Sequence, residues 1–179
     1  MSKFFLKTFL TVAVAMTVGC GQPTTRTTPT TSQKPVPPGM KSRILSSEQP
    51  ADAKPVAEVH KSAENGGEVT ILGRIGGAVD PWVAGRAAFT IVDPKLKPCQ
   101  PDEGCPTPWD YCCSTDQLPK NRALIKVVDD TGNTLEHDAK SLLDLKELQT
   151  VVVKGTAKRD DAGNLTVLAT SVYVVPDVK

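Results

Sequence analysis

The chain has 179 residues, which is enough for one ordinary domain with tails. Aromatic residues make up 4% of the sequence and prolines number 15, so we expect an aliphatic core and stiff loops. The formal net charge of +1 gives no global field to attract nucleic acid or an anionic membrane surface. The composition therefore excludes a strongly basic nucleic-acid binder, and function has to be inferred from local motifs.

The N-terminus has the pattern of an export signal. Lys3 and Lys7 form a short positive region, and the apolar run after them is too short for a membrane-spanning helix. The run ends in Thr17-Val18-Gly19-Cys20, which resembles the end of a bacterial lipoprotein signal, where a small residue precedes the lipidated cysteine. The resemblance implies a signal peptide over 1–19 and an exported protein held by a lipid on Cys20, facing the periplasm or the cell exterior. The alternative is a plain secretory signal.

Residues 20–67 are predicted to be a disordered tether. The first part is rich in Thr, Pro, Gln and Ser, and the remainder stays polar. Such a segment cannot bury enough apolar surface to offset the entropy of folding. His60 lies in this tether, and we expect its side chain to be solvated.

Five apolar runs typical of strands follow from residue 68. They are Glu68 to Ile75, Ala87 to Val92, Arg122 to Asp129, Thr150 to Lys158 and Leu165 to Val175. A short returning strand is also possible over Thr134 to Asp138. Ser141-Leu-Leu-Asp144 has the form of a helix start, and the leucines at three-residue spacing give that helix an apolar stripe.

The order of these elements is strand, strand, strand, short helix, strand, strand. With Gly73 in the first strand and Gly155 in the fourth, this order resembles the OB fold. The resemblance implies an all-β domain over 68–176, a small five-stranded OB-like barrel with one short helix between strands 3 and 4. It implies no activity, and a small open β-sandwich is the competing fold.

Four of the five cysteines lie in a Cys-rich insertion over 94–120: Cys99, Cys105, Cys112 and Cys113. In an exported chain, four cysteines most simply form two disulfides. Cys112 and Cys113 are neighbours, so each would pair with Cys99 or Cys105, and two pairings stay open. The alternatives are a Zn²⁺ or Cu⁺ thiolate site and a redox-active thiol pair. The spacing Cys-x₅-Cys-x₆-Cys-Cys is not that of structural zinc sites, and no Cys-x-x-Cys is present.

Aromatic residues in and near the insertion are candidate binding residues. The segment from Cys105 to Cys112 contains Trp109 and Tyr111 and resembles a segment of exported bacterial lipoproteins of unassigned role, so the likeness implies no activity. Rigid aromatic side chains on a pinned loop suit a protein-binding anchor. The alternative is that Trp109 packs over a disulfide. Trp82, in a Gly- and Pro-containing loop, is a further candidate.

The sequence predicts a non-enzymatic binding module with no cofactor, with an envelope protein as a possible partner. It has no Ser/His/Asp or Cys/His arrangement, no phosphate-cradling Gly loop and no suitably paired carboxylates. One alternative is binding or handling of a metal, Zn or Cu, through the four cysteines. Another is nucleic-acid or oligosaccharide binding on the OB face, where Phe89 is the one aromatic residue, although nucleic acid is not expected for an exported chain.

The layout is also similar to that of the haem chaperones of cytochrome c maturation, which are tethered exported OB barrels. Their His-x-x-x-Tyr motif is absent here, because Ala169 stands four residues before Tyr173. We therefore transfer no haem chemistry to this chain. His137 is isolated in the sequence, and we expect it to be solvated at a surface edge.

Overall fold

A computed structural model describes residues 36–176, which fall within one compact unit. The predicted signal peptide and Cys20 lie outside the described residues. The helices are α1 (Met40–Ile44), α2 (Val56–Ser62), α3 (Leu118–Asn121) and α4 (Ala139–Leu143), with a 3-10 turn at Cys112–Ser114. The strands are β1 (Lys54–Pro55), β2 (Glu68–Ile75), β3 (Ala88–Val92), β4 (Arg122–Val127), β5 (Thr150–Arg159) and β6 (Leu165–Val174). None of the helices within 36–176 has both the length and the apolar character needed to cross a membrane.

The six strands form one sheet in the order β1-β2-β3-β4-β6-β5, and β2 also pairs with β5. The β2–β5 ladder is antiparallel and runs from the pair Glu68↔Thr156 to the pair Arg74↔Thr150. The β4–β6 ladder is parallel. Pairing therefore passes from β2 through β3, β4, β6 and β5 and returns to β2. The prediction of an all-β class is confirmed at the level of one predominantly β domain with a few short helices.

The sequence located all five long strands. β2 has the predicted bounds, and the other four differ from the prediction by one or two residues at an end. The helix between the third and fourth of these strands begins at Ala139 rather than Ser141, and it ends where Asp144 takes a left-handed conformation. Thr134 forms only an isolated bridge with Val128, so the short returning strand that the sequence permitted does not extend beyond that bridge.

Buried and more exposed residues alternate along the strands, and the buried ones form the core. In β2, Ile71, Gly73 and Ile75 are buried, and Leu72 and Arg74 between them are half-buried. A bulge at Thr170, which has no partner on β5 because Lys154 pairs with Ser171 and Gly155 with Ala169, bends β6 against β5. A Cβ at Gly155 would lie 2.1 Å from the Leu168 carbonyl oxygen, so this close approach requires glycine.

The folded part begins before β2, so the prediction of a disordered tether is wrong for residues 40–67. Ile44 of α1 and Val56 and Val59 of α2 are buried in the main core. The buried Asp93 carboxylate accepts a hydrogen bond from the Ala57 amide in the first turn of α2, with an N–O distance of 2.8 Å. The apolar positions of these helices are too few to give a periodic signal, and their burial depends on partners distant in sequence.

Both histidines are less solvated than the sequence predicted. His137 is only 6% exposed, and its Nδ1 atom is buried with no hydrogen-bond partner among the described residues. His60 is half-buried on α2, where Arg159 donates to its carbonyl oxygen. Burial, followed by the positive charge of Arg159, lowers the pKa of His60 below its ordinary value.

Candidate functional site

The four cysteines of the insertion meet at one point. Their Sγ atoms all lie within 4.8 Å of one another. The Sγ atoms of Cys105 and Cys112 are 2.29 Å apart, as a disulfide. The Sγ of Cys113 lies 3.2 Å from that of Cys105, and the Sγ of Cys99 lies 3.9 Å from that of Cys112. The structure therefore brings together every cysteine that the sequence singled out in this segment.

The pairing differs from the two disulfides expected from the sequence. Each expected arrangement used all four cysteines, whereas the structure contains the Cys105–Cys112 bond and leaves Cys99 and Cys113 as free thiols. Cys113 lies beside Cys105, a sulfur that already has its partner. The cluster thus combines one disulfide with two thiols rather than two disulfides.

Backbone geometry at Asp110 and Tyr111 directs the sulfurs toward one another. Asp110 is only 6% exposed, and its Oδ1 accepts from the Cys112 amide at 3.0 Å and from the Cys99 thiol at 3.4 Å. Tyr111 has a φ of 57°, in the left-handed region, and turns the chain into the 3-10 segment that contains Cys112 and Cys113. The Cys99 amide donates to the Pro108 carbonyl at 3.0 Å, which closes the loop at its other end.

The insertion is fixed to the sheet on the side away from the sulfurs. Tyr111 is fully buried in a small cluster with Val92, Leu96 and Leu118. The Gly77 amide, just after β2, donates to the Trp109 carbonyl at 2.7 Å. A Cβ at Gly76 would lie 2.6 Å from the same oxygen, so glycine is needed for this approach. Nothing in the sequence marks these two glycines as the residues that hold the cysteine loop.

The aromatic candidates have different surroundings. Tyr111 is buried, so the prediction that it offers contact area to a partner is wrong. Trp109 is half-buried, and its indole N–H donates to the Val79 carbonyl at 3.0 Å. Trp82 packs against Phe89 with ring centroids 5.8 Å apart, and its N–H donates to Glu147 at 2.7 Å. Trp82 therefore has intramolecular contacts, and Trp109 keeps part of its surface at the site.

The electrostatic surroundings of the thiols are acidic. Desolvation and then the negative charge of Glu103 raise the pKa of the Cys113 thiol above its ordinary value, and Asp110 acts in the same direction. Nucleophilic redox cysteines have a lowered pKa. The raised pKa lowers the fraction of Cys113 that is thiolate at neutral pH, and thiolate is the form that both redox chemistry and metal binding need.

The face that would suit nucleic acid lacks its stacking residue. Phe89 is fully buried. Arg86 pairs with Glu136 at 3.2 Å, and Arg122 donates to the Gly77 carbonyl at 2.9 Å. Lys126 and His137 line a shallow groove on this side. Base stacking on exposed aromatic rings is the usual means of holding single strands, and Phe89 does not offer it.

Comparisons with known proteins give little beyond the fold class. No family model matches the chain, and no curated protein shows significant similarity to it. Among solved structures, the chain is similar to one described as "OBody AM1L10 bound to hen egg-white lysozyme", at 13% identity and a TM-score of 0.40. That match covers 74% of this chain and 100% of the other. At this score the likeness is to a mostly-β neighbour and carries no argument about activity.

Proposed function

We propose that this chain is an exported, lipid-anchored, non-enzymatic binding module, an OB-like barrel whose cysteine insertion binds one soft metal ion, Zn²⁺ or Cu⁺. The observation that carries the proposal is the convergence of the Cys99, Cys105, Cys112 and Cys113 sulfurs within 4.8 Å of one another. Soft thiolates are the ligands that both ions favour.

The sulfur spacing supports a single ion. Thiolates that share one ion at metal–sulfur distances of about 2.3 Å lie about 3.8 Å apart when four of them bind tetrahedrally and up to about 4.6 Å apart when fewer bind. The Cys105–Cys113 and Cys99–Cys112 separations are 3.2 Å and 3.9 Å. Two independent disulfides can form at separate places in the loop. A shared ion requires all of its sulfur ligands to lie around one point.

The metal-bound form and the disulfide form exclude each other. A metal ligand must be a thiolate, and the sulfurs of the Cys105–Cys112 disulfide cannot serve as thiolates until that bond is reduced. Binding by all four sulfurs therefore requires the reduced loop, with each bound thiol giving up its proton to solvent. The disulfide is the form that the loop takes when metal is absent and an oxidant is present.

The barrel and the anchor rest on separate observations. The return of pairing from β5 to β2, the helix α4 between β4 and β5, and the glycines at Gly73 and Gly155 support an OB-like barrel. The positive residues, the short apolar run and the Gly19-Cys20 junction support lipidation at Cys20 and an envelope location. An envelope protein remains the partner that this location favours.

The test is a metal titration of the full chain, reduced and kept anaerobic, against a chromophoric chelator. We expect one Zn²⁺ or Cu⁺ per chain for the unaltered protein and none when Cys99, Cys105, Cys112 and Cys113 are all replaced by serine. The matched control is Cys20→Ser, which removes a cysteine outside the cluster and should keep full binding. Absence of binding by the reduced protein, or equal binding by the four-serine variant, would overturn the proposal.

A further inference from the structure

We propose that the metal in this site is cargo, namely Cu⁺ that the loop holds at an open site and passes to an acceptor with soft ligands. This inference rests on the thiolate site proposed above. It adds which ion is carried and what happens to it.

The first argument is the gradient of burial across the cluster. Cys99 is 5% exposed, Cys105 is half-buried, and Cys112 and Cys113 are exposed. Structural zinc sites are closed by their four ligands and shielded from exchange. Here an incoming thiolate can approach the ion from the exposed side, where Cys112 and Cys113 lie. Cys99 binds the ion from the buried side.

The second argument is that contacts other than the sulfurs position the insertion on the sheet. Neither hydrophobic cluster of the described residues includes any of the four cysteines. The insertion is positioned by contacts away from the sulfurs, among them Gly77 N–H to Trp109 O at 2.7 Å and Arg74 Nη1 to Leu96 O at 3.2 Å. Small zinc modules unfold when the ion leaves. This loop can release its ion with the sheet intact, which a carrier requires.

The third argument concerns the choice of ion. Cys112 and Cys113 are adjacent on one backbone turn, so they are poorly suited to act as two of four tetrahedral ligands. Cu⁺ is satisfied by fewer than four thiolates and stays bound while one ligand is replaced. The buried carboxylate of Asp110 has its Oδ1 3.4 Å from the Cys99 sulfur, so a carboxylate lines the cluster and favours a cation there.

Transfer is a ligand exchange without electron transfer. In each step the acceptor forms one Cu–S bond as one Cu–S bond to the loop breaks, and the released thiolate takes a proton from solvent. Copper stays in the +1 state throughout. We expect the exposed Cys113 to leave early and the buried Cys99 to leave last.

The experiment loads the reduced full chain with one Cu⁺ under argon and mixes it rapidly with bicinchoninate, a chromophoric Cu⁺ acceptor. The expected release rate rises with bicinchoninate concentration, because the acceptor attacks a bound ion. Cys113→Ser should lower the Cu⁺ affinity by about tenfold or more, as removal of a ligand or its support does in other sites. Ser114→Ala changes the next residue of the same turn and should keep the Cu⁺ affinity. It therefore tests whether a substitution in the turn lowers the affinity without removing a ligand.

Three results would overturn the inference while leaving the metal site in place. They are preference for Zn²⁺ in direct competition with Cu⁺, a release rate independent of bicinchoninate concentration, and loss of the circular dichroism of the sheet on removal of the metal. Failure of the reduced chain to bind either ion would instead overturn the thiolate site, and this inference with it. Unaltered affinity in Cys113→Ser would contradict the role given to the exposed ligand.

Discussion

Asp110 links the peptide backbone to the sulfur cluster. Its buried carboxylate accepts from the Cys112 amide and from the Cys99 thiol, two groups on opposite sides of the site. Residues that orient metal ligands through hydrogen bonds affect affinity almost as much as the ligands themselves. In the sequence Asp110 is one of several acidic residues in the loop, and nothing in the pattern separates it from Asp102, Glu103 or Asp116.

The first prediction concerns this carboxylate. Asp110→Ala should lower metal affinity about tenfold in a chelator competition, because it removes the acceptor that holds the Cys112 amide and the turn that contains Cys112. Asp110→Asn keeps an acceptor oxygen and should restore most of the affinity. The control is Asp116→Ala, an exposed acidic residue of the same insertion. Equal affinities for Asp110→Ala and Asp116→Ala would contradict the role assigned to Asp110.

His60 couples folding to pH. Its Nε2 atom is buried without a hydrogen-bond partner among the described residues, and burial with Arg159 lowers its pKa in the folded chain. The unfolded chain therefore binds a proton at this residue at a higher pH than the folded chain does. Protonation favours unfolding as the pH falls through the ordinary histidine pKa of about 6.5.

The second prediction is a loss of stability on acidification from pH 7 to pH 5, measured by urea denaturation at each pH. His60→Gln should reduce the slope of unfolding free energy against pH over this range, because glutamine does not titrate. The comparison isolates His60, since every other titrating group is shared by the two proteins. Identical slopes would show that His60 is solvated in both states.

At the level of elements, the strands were readable from the sequence and the N-terminal helices were not. In β2 the apolar residues Val69, Ile71 and Ile75 recur at two-residue spacing on one face, which a strand with one buried face requires. α1 and α2 are short; Ile44, Val56 and Val59 are buried in the main core, and Met40 packs against it. A helix of one or two turns has too few positions to show a period. In the sequence, the apolar residues of such a helix cannot be distinguished from isolated apolar residues in a polar tether.

The third prediction tests whether α1 belongs to the folded domain. Ile44→Ala should lower the free energy of unfolding by about 3 kcal/mol, because it removes a side chain that is 6% exposed and packed in the main core. Arg43→Ala, at the exposed neighbouring position, should change it little. Equal small effects in the two variants would mean that α1 does not dock on the sheet and that the tether extends to it.

For the whole molecule, the residues of the site can be predicted from the sequence, and their arrangement cannot. The four cysteines stand out because they fall close together, but adjacent Cys112 and Cys113 argue against convergence on one ion. The structure brings them together through the left-handed Tyr111 and the contact of Gly77 with Trp109. The left-handed backbone conformation of Tyr111 and the hydrogen bond from Gly77 to the Trp109 carbonyl both depend on tertiary packing. Neither has a sequence signal.

Two disulfides are the simplest interpretation of the sequence. Export and an even number of cysteines favour disulfides on general grounds, independently of geometry. The geometry places one pair at bonding distance and the other two sulfurs beside it, so a single compact cluster replaces two separate bridges. The proposals of an OB-like barrel and of a lipid on Cys20 do not depend on which form the sulfurs take.

The most direct measurement is the native intact mass of the full chain, released from the membrane without reductant or chelator. The account predicts one metal ion per chain and, after the ion is removed by a chelator under argon, alkylation of Cys99, Cys105, Cys112 and Cys113. A metal-free chain whose mass is lower by four hydrogens, with none of these cysteines open to alkylation, would show two disulfides. That result would contradict the metal site.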